Sequence, residues 1–177
     1  MTAMKKLSII LIIFMTSLAT AQEKKIPEWF LNDLEESIGT WIADNKNYVS
    51  ENEPFTHYGI EWSWGLGKTT MKGRLFGLID GEEQGDFWEF RQYWDNVNEV
   101  AVVEQFGNGG MIGIGSLQPI DEYTTESVQT FSLPNGNSWK DRHISIRKKT
   151  ELITTSYKMD SEGKWVENRT YSWTKKN

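Results

Sequence analysis

A chain of 177 residues with nine tryptophans, no cysteine and a formal net charge of −6 has the length of one domain and enough apolar surface to enclose a core. Its acidic balance excludes a nucleic-acid partner held on a dense basic face. Lack of cysteine excludes disulfides, thiolate metal sites, thiol nucleophiles and lipidation of an N-terminal cysteine.

Lys5 and Lys6 precede a mostly apolar run, Leu7 to Leu18, and Ala19-Thr20-Ala21 then places small residues where a signal peptidase reads. The run is shorter than the roughly 20 residues of a membrane-spanning helix. This layout predicts a signal peptide over 1–21, an exported chain, periplasmic or secreted, and no stable membrane anchor after cleavage. Taking Lys5 and Lys6 from the 19 basic residues, against 25 acidic ones, moves the net charge from −6 to −8.

Residues 22–38 read as a lead-in and a short helix. Ile26, Trp29, Phe30, Leu34 and Ile38 recur at helical spacing, Pro27 suits the first turn, and Gly39 is a stop signal.

From 39 to 177 the texture is that of a β domain. Segments rich in β-branched and aromatic residues read as strands near 40–45, 55–64, 68–79, 86–94, 99–106, 111–118, 121–131, 138–148, 150–159 and 164–174. Short turn signals separate them, among them Asp80-Gly81, Gly107-Asn108-Gly109-Gly110, Pro134-Asn135-Gly136-Asn137 and Ser161-Glu162-Gly163. Connections this short join antiparallel neighbours, because parallel strands need a crossover of about a dozen residues or more. An all-β, up-and-down antiparallel barrel of eight to ten strands follows, since closure removes the edges of so long a sheet. A two-sheet sandwich competes, but no long Greek-key connection is visible.

Alternation assigns faces. Tyr58, Ile60, Trp62 and Trp64 form one face of the second strand, and Trp88, Phe90, Gln92 and Trp94 one face of the fourth. Met71, Leu75 and Ile79 oppose Lys68, Lys72 and Arg74 on the third. Two late strands mix aromatic and ionisable residues on one face: Trp139, Asp141, His143 and Ser145, then Trp165, Glu167, Arg169, Tyr171 and Trp173. Such a face suits either a polar-spotted cavity or an amphipathic outer surface.

Gly65-Leu66-Gly67-Lys68-Thr69 mimics part of a P-loop, but Trp62 stands where the first glycine is required and a strand follows. Asp80, Glu82, Glu83 and Asp86 match no calcium loop and read as a solvated hairpin tip. His57 and His143 are too far apart to suggest a metal site, so none is assigned. Gly109, Gly110, Gly113 and Gly115 mark a bend or a close backbone approach.

Gly39-Thr40-Trp41, after a short helix and opening the first strand, resembles the Gly-x-Trp signature of lipocalins and the wider calycin group. In that group the Trp lies at the closed end, with an Arg or Lys from a late strand packed across it. The resemblance points to Arg169 for that place, with Arg147 second, so Trp41 and Arg169 are expected to close the barrel. A strand count near ten looks more like fatty-acid-binding proteins or nitrobindin-like barrels. Nitrobindin-like proteins carry further glycines after the Trp and a haem-ligating His. Here Ile42-Ala43-Asp44 follows instead, so haem is not implied and the cofactor is left unknown. What the resemblance implies is small-molecule binding.

Taken together, these features predict an exported carrier of a small hydrophobic or aromatic molecule, bound by Tyr58, Trp62, Trp64, Trp94, His143, Tyr157 and Trp173. Trp41, Trp88 and Trp165 read as packing. No catalytic residue is assigned. A barrel enzyme, an isomerase, cyclase or hydrolase using His143 and Asp141 as acid and base with Glu104 or Glu167 as alternates, is a second expectation. An envelope protein with a side-chain-filled barrel is a third.

Overall fold

The structure is a computed structural model that describes residues 25–176. The expected signal peptide, 1–21, lies outside the described residues. Among the described residues there is one α-helix, α1 (Glu28–Ser37), which starts after Pro27 and ends at Ile38. Ten strands follow: β1 (Gly39–Asp44), β2 (His57–Trp64), β3 (Thr70–Ile79), β4 (Glu82–Asp95) and β5 (Val100–Gly107), then β6 (Met111–Pro119), β7 (Thr124–Ser132), β8 (Ser138–Arg147), β9 (Glu151–Met159) and β10 (Trp165–Lys175). Each pairs antiparallel with its sequence neighbours, and β10 returns to β1. The expected up-and-down barrel is therefore closed, at the upper end of the expected strand count.

One end of the barrel is sealed by α1. Its Phe30 and Leu34, both fully buried, pack on Met71, Ala101, Val103 and Leu117, with Trp62, Trp64 and Trp94 around them. Burying two such side chains stabilises the fold by about 1.5–3 kcal/mol each. Ion pairs hold the opposite flank of the helix: Arg147 of β8 reaches Asp33 at 2.9 Å and Glu36 at 3.0 Å.

At the far end the β1–β2 connection folds back against β10. Glu53 accepts hydrogen bonds from Arg169 Nη1 at 2.6 Å and Nη2 at 2.8 Å, and from the Tyr58 hydroxyl at 2.7 Å. Fully buried Asn45 donates to the Phe55 carbonyl at 2.9 Å and accepts from the Tyr171 hydroxyl at 2.8 Å.

Several inward glycines carry an aromatic ring on the neighbouring strand. Gly73 faces Trp62, Gly107 faces Trp88 and Gly113 faces Phe131, each as a direct cross-strand partner. A Cβ on these glycines would lie 2.4 to 2.7 Å from the facing ring. The missing side chains let the rings lie flat on the wall, which leaves space at the barrel axis. At Gly115 a Cβ would strike the Val128 carbonyl, so β6 and β7 approach closely there.

Two sequence expectations are corrected here. The cation over Trp41 is Lys175, with Nζ 5.2 Å from the ring centroid. Arg169 instead lies over Tyr48, 4.8 Å from its ring, and pairs with Glu53. The cause is register: Lys175 is the direct cross-strand partner of Trp41, and Arg169 sits three inward positions earlier. The uniform face read over 164–174 is also broken, because the β10 register shifts between Glu167 and Arg169. Arg169, Tyr171 and Trp173 line the lumen; Trp165 and Glu167 do not.

Candidate functional site

A cavity of about 480 Å³ runs inside the barrel, from Asp33 and Ser37 of α1 toward Lys158, Asn168 and Arg169 at the far end. That size lies within the roughly 300–1,000 Å³ of small-molecule pockets. Its walls are chemically unequal. From β1 to β6 they are mostly apolar or aromatic, including Trp41, Ile60, Trp62, Leu75, Trp88 and Phe90. From β7 to β10 they carry Ser127, Gln129, Asp141, His143, Thr154 and Ser156.

This division settles the face left open for 138–148. Trp139, Asp141, His143 and Ser145 line the cavity, while Arg142 on the other face pairs with Glu126. Phe131 and Trp139 are stacked toward the far end, with centroids 5.4 Å apart and planes 12° from parallel. Trp88 meets Phe131 edge-on at 5.6 Å.

Polar groups on the second wall are held by their neighbours. Trp139 Nε1 donates to Asp141 Oδ2 at 3.1 Å, Gln105 Nε2 to Gln129 Oε1 at 2.9 Å, and Trp173 Nε1 to Thr154 Oγ1 at 2.7 Å. Burial holds the His143 pKa below its ordinary 6.5, against the opposing pull of the Asp141 charge. The imidazole is therefore neutral at pH 7 and offers one donor and one acceptor. No hydrogen bond joins it to Asp141 among the described residues.

At the mouth, burial acts to raise the Glu53 carboxyl, but hydrogen bonds from Arg169 and Tyr58 outweigh it and bring the pKa below the usual 4.5. Tyr58 moves the other way, well above the ordinary phenol, through burial and then its bond to Glu53. Asp33 under the helix is raised by burial despite the Arg147 charge beside it.

Of the residues expected to bind ligand, Tyr58, Trp62, His143 and Trp173 line the cavity. Trp64 and Trp94 do not; they pack around the buried face of α1, where Trp94 lies 6.0 Å from Phe30. Tyr157 also lies off the cavity, where Arg142 covers its ring at 5.3 Å. Trp64 and Trp94 were misplaced because alternation gives a face but not a depth: both stand at strand ends that the helix covers. Tyr157 is displaced by parity, since Thr154, Ser156 and Lys158 are the inward positions of β9.

The alternate acids are placed outside as well. Glu104 accepts from the Tyr93 hydroxyl at 3.1 Å and Glu167 from Thr170 at 3.2 Å, neither on the cavity wall. Trp41 and Trp88, read as packing, do border the lumen, while Trp165 does not. Sequence reasoning passed over Gln105, Gln129 and Phe131; they share the inward parity of β5 and β7, a weak signal without a known partner strand.

No protein-family model matches the chain, and no curated protein matches it significantly. Among the described residues the chain forms a closed ten-strand antiparallel barrel with one short α-helix. That arrangement is compatible with a calycin-like barrel.

Proposed function

We propose that this chain is an exported binding protein that encloses one small hydrophobic or aromatic molecule in the barrel lumen. The observation that carries the reading is the cavity of about 480 Å³, with a mostly apolar and aromatic β1–β6 wall facing a β7–β10 wall that sets polar groups among Phe131, Trp139, Tyr171 and Trp173. An apolar body would gain about 25 cal/mol for each Å² withdrawn from water on the aromatic side. Polar atoms on the β7–β10 side would fix its orientation. The space at the barrel axis favours this over a barrel filled by its own side chains. Export rests on the Lys5-Lys6, apolar run and Ala19-Thr20-Ala21 pattern.

Native mass spectrometry of the full chain, purified from exporting cells without denaturation, tests the proposal. The expected result is a polypeptide carrying an extra mass of a few hundred daltons that organic solvent removes. A bare polypeptide, together with unchanged Trp emission across a panel of fatty acids, flavonoids and haem, would refute it.

A further inference from the structure

Gln129 and Asp141 are direct cross-strand partners on β7 and β8, and both line the lumen. Inward side chains at such a pair have Cβ atoms about 4.5–5.5 Å apart. Each has one polar atom fixed by the protein and one without a partner. Gln105 Nε2 donates to Gln129 Oε1 at 2.9 Å, which leaves Gln129 Nε2 as a buried donor with no acceptor. Trp139 Nε1 donates to Asp141 Oδ2 at 3.1 Å, which leaves Asp141 Oδ1 as a buried acceptor with no donor. Gln129 is only 1% exposed. Buried polar atoms are nearly always paired, so an unpaired donor and an unpaired acceptor on two directly paired residues mark places where partners are missing.

The next inward pair along the same two strands is Phe131 and Trp139, whose rings are stacked. Phe131 is itself buried beneath this stack, so the Trp139 ring is the apolar surface next to that donor and acceptor.

We propose that the lumen selects planar ligands with an amide-like edge, an N–H next to a C=O, as in heteroaromatic lactams. The ligand N–H donates to Asp141 Oδ1, its carbonyl accepts from Gln129 Nε2, and its ring system lies against the Trp139 ring. This rests on the lumen-binding reading and narrows it. A ligand carboxylate would set its charge against Asp141, and an amidinium would meet Gln129 donor to donor. The edge that satisfies both atoms carries one of each.

Binding of four bicyclic probes to the full chain tests this by calorimetry: 2-quinolone with the amide edge, 2-naphthol with a hydroxyl only, naphthalene with neither, and 2-naphthoate with an anion. The expected order puts 2-quinolone about tenfold or more tighter than naphthalene, with 2-naphthoate weakest. In Asp141→Asn the amide oxygen takes the Trp139 bond and the NH₂ faces the ligand, so the 2-quinolone preference should vanish while naphthalene affinity stays. Gln129→Met, similar in volume, should reduce the preference without reversing it, and covers the case in which the first variant does not fold. Equal wild-type affinity for 2-quinolone and naphthalene overturns the proposal and leaves the lumen reading standing. So does a preference unmoved in both variants. Failure of all four probes also overturns it, and the native mass spectrum then decides the broader reading separately.

Discussion

Lys175 and Trp41 are cross-strand partners at the seam where the last strand meets the first, and the ammonium stands 5.2 Å from the ring centroid. The same Nζ donates to the Glu36 carbonyl at 3.2 Å, and Trp41 Nε1 donates to the Ser37 carbonyl at 2.8 Å. Helix end, first strand and last strand are thereby joined at one point. Lys175 is exposed, so its cation–π contact is worth about 0.5–1 kcal/mol. Lys175→Ala should lower unfolding stability by about that amount in urea, while Lys175→Arg restores it. Arg169→Ala should leave Trp41 emission unchanged, because Arg169 does not touch that ring.

Arg169 has a different task. Its bidentate pair with Glu53, joined by Tyr58 and Asn45, straps the β1–β2 connection across the far end of the barrel. Both partners are partly exposed, so Glu53→Gln should cost about 1–3 kcal/mol, less than breaking a fully buried pair. Hydrogen exchange should show the loss within 45–56, with α1 unaffected.

Two carboxyls should titrate in opposite directions from their ordinary values. The Glu53 pKa lies below 4.5, so its stabilising contribution is complete above that pH and is lost as the pH falls through the lower folded value. The Asp33 pKa lies above 3.8, so its contribution is present below that pH and is lost as the pH rises through the higher folded value. A carboxyl-carbon NMR titration of the native chain should show both displacements. Glu53→Gln should flatten the acid limb of the stability curve.

His143 acts in a separate window. Its folded pKa lies below 6.5, so the unfolded chain takes up a proton first as the pH drops. Stability should fall as the pH decreases from about 6.5 toward the folded value. His143→Gln should remove that slope while keeping the acid limb set by Glu53.

The glycines under the rings set the width of the lumen. In Gly73→Ala the new Cβ would meet the Trp62 ring at 2.4 Å. Overpacking of this kind costs about 1–3 kcal/mol. The displaced indole should also move toward the axis and weaken any lumenal ligand. Gly81→Ala is a control for glycine loss alone, since nothing lies within 4 Å of that position and its φ of +84° supplies only backbone strain.

Local sequence carried the strands and their hairpins well, because alternation and turn chemistry act over a few residues. Tyr58, Ile60 and Trp62 were assigned inward on that basis, and they line the cavity. What it could not carry was register between distant strands. Lys175 and Arg169 are equally plausible partners for Trp41 until β10 is aligned on β1. The β10 irregularity near Asn168 is invisible to period-two counting, and it moves Glu167 off the face of Arg169. Depth was also hidden: Trp62 and Trp64 share a face of β2 and both pack around the buried side chains of α1, yet Trp62 also borders the cavity and Trp64 does not. The Gln129–Asp141 pair needed both strand pairing and the identity of the groups occupying their other atoms.

The nine tryptophans give the most direct test of a ligand-holding lumen. Trp41, Trp62, Trp88, Trp139 and Trp173 border the cavity, whereas Trp29, Trp64, Trp94 and Trp165 do not. Indole N–H resonances, assigned by single Trp→Phe variants, should be followed by NMR during titration with 2-naphthol. The account predicts saturable shifts among the five lumenal indoles and still signals from the other four. Shifts confined to the second group, or none at millimolar probe, would contradict it.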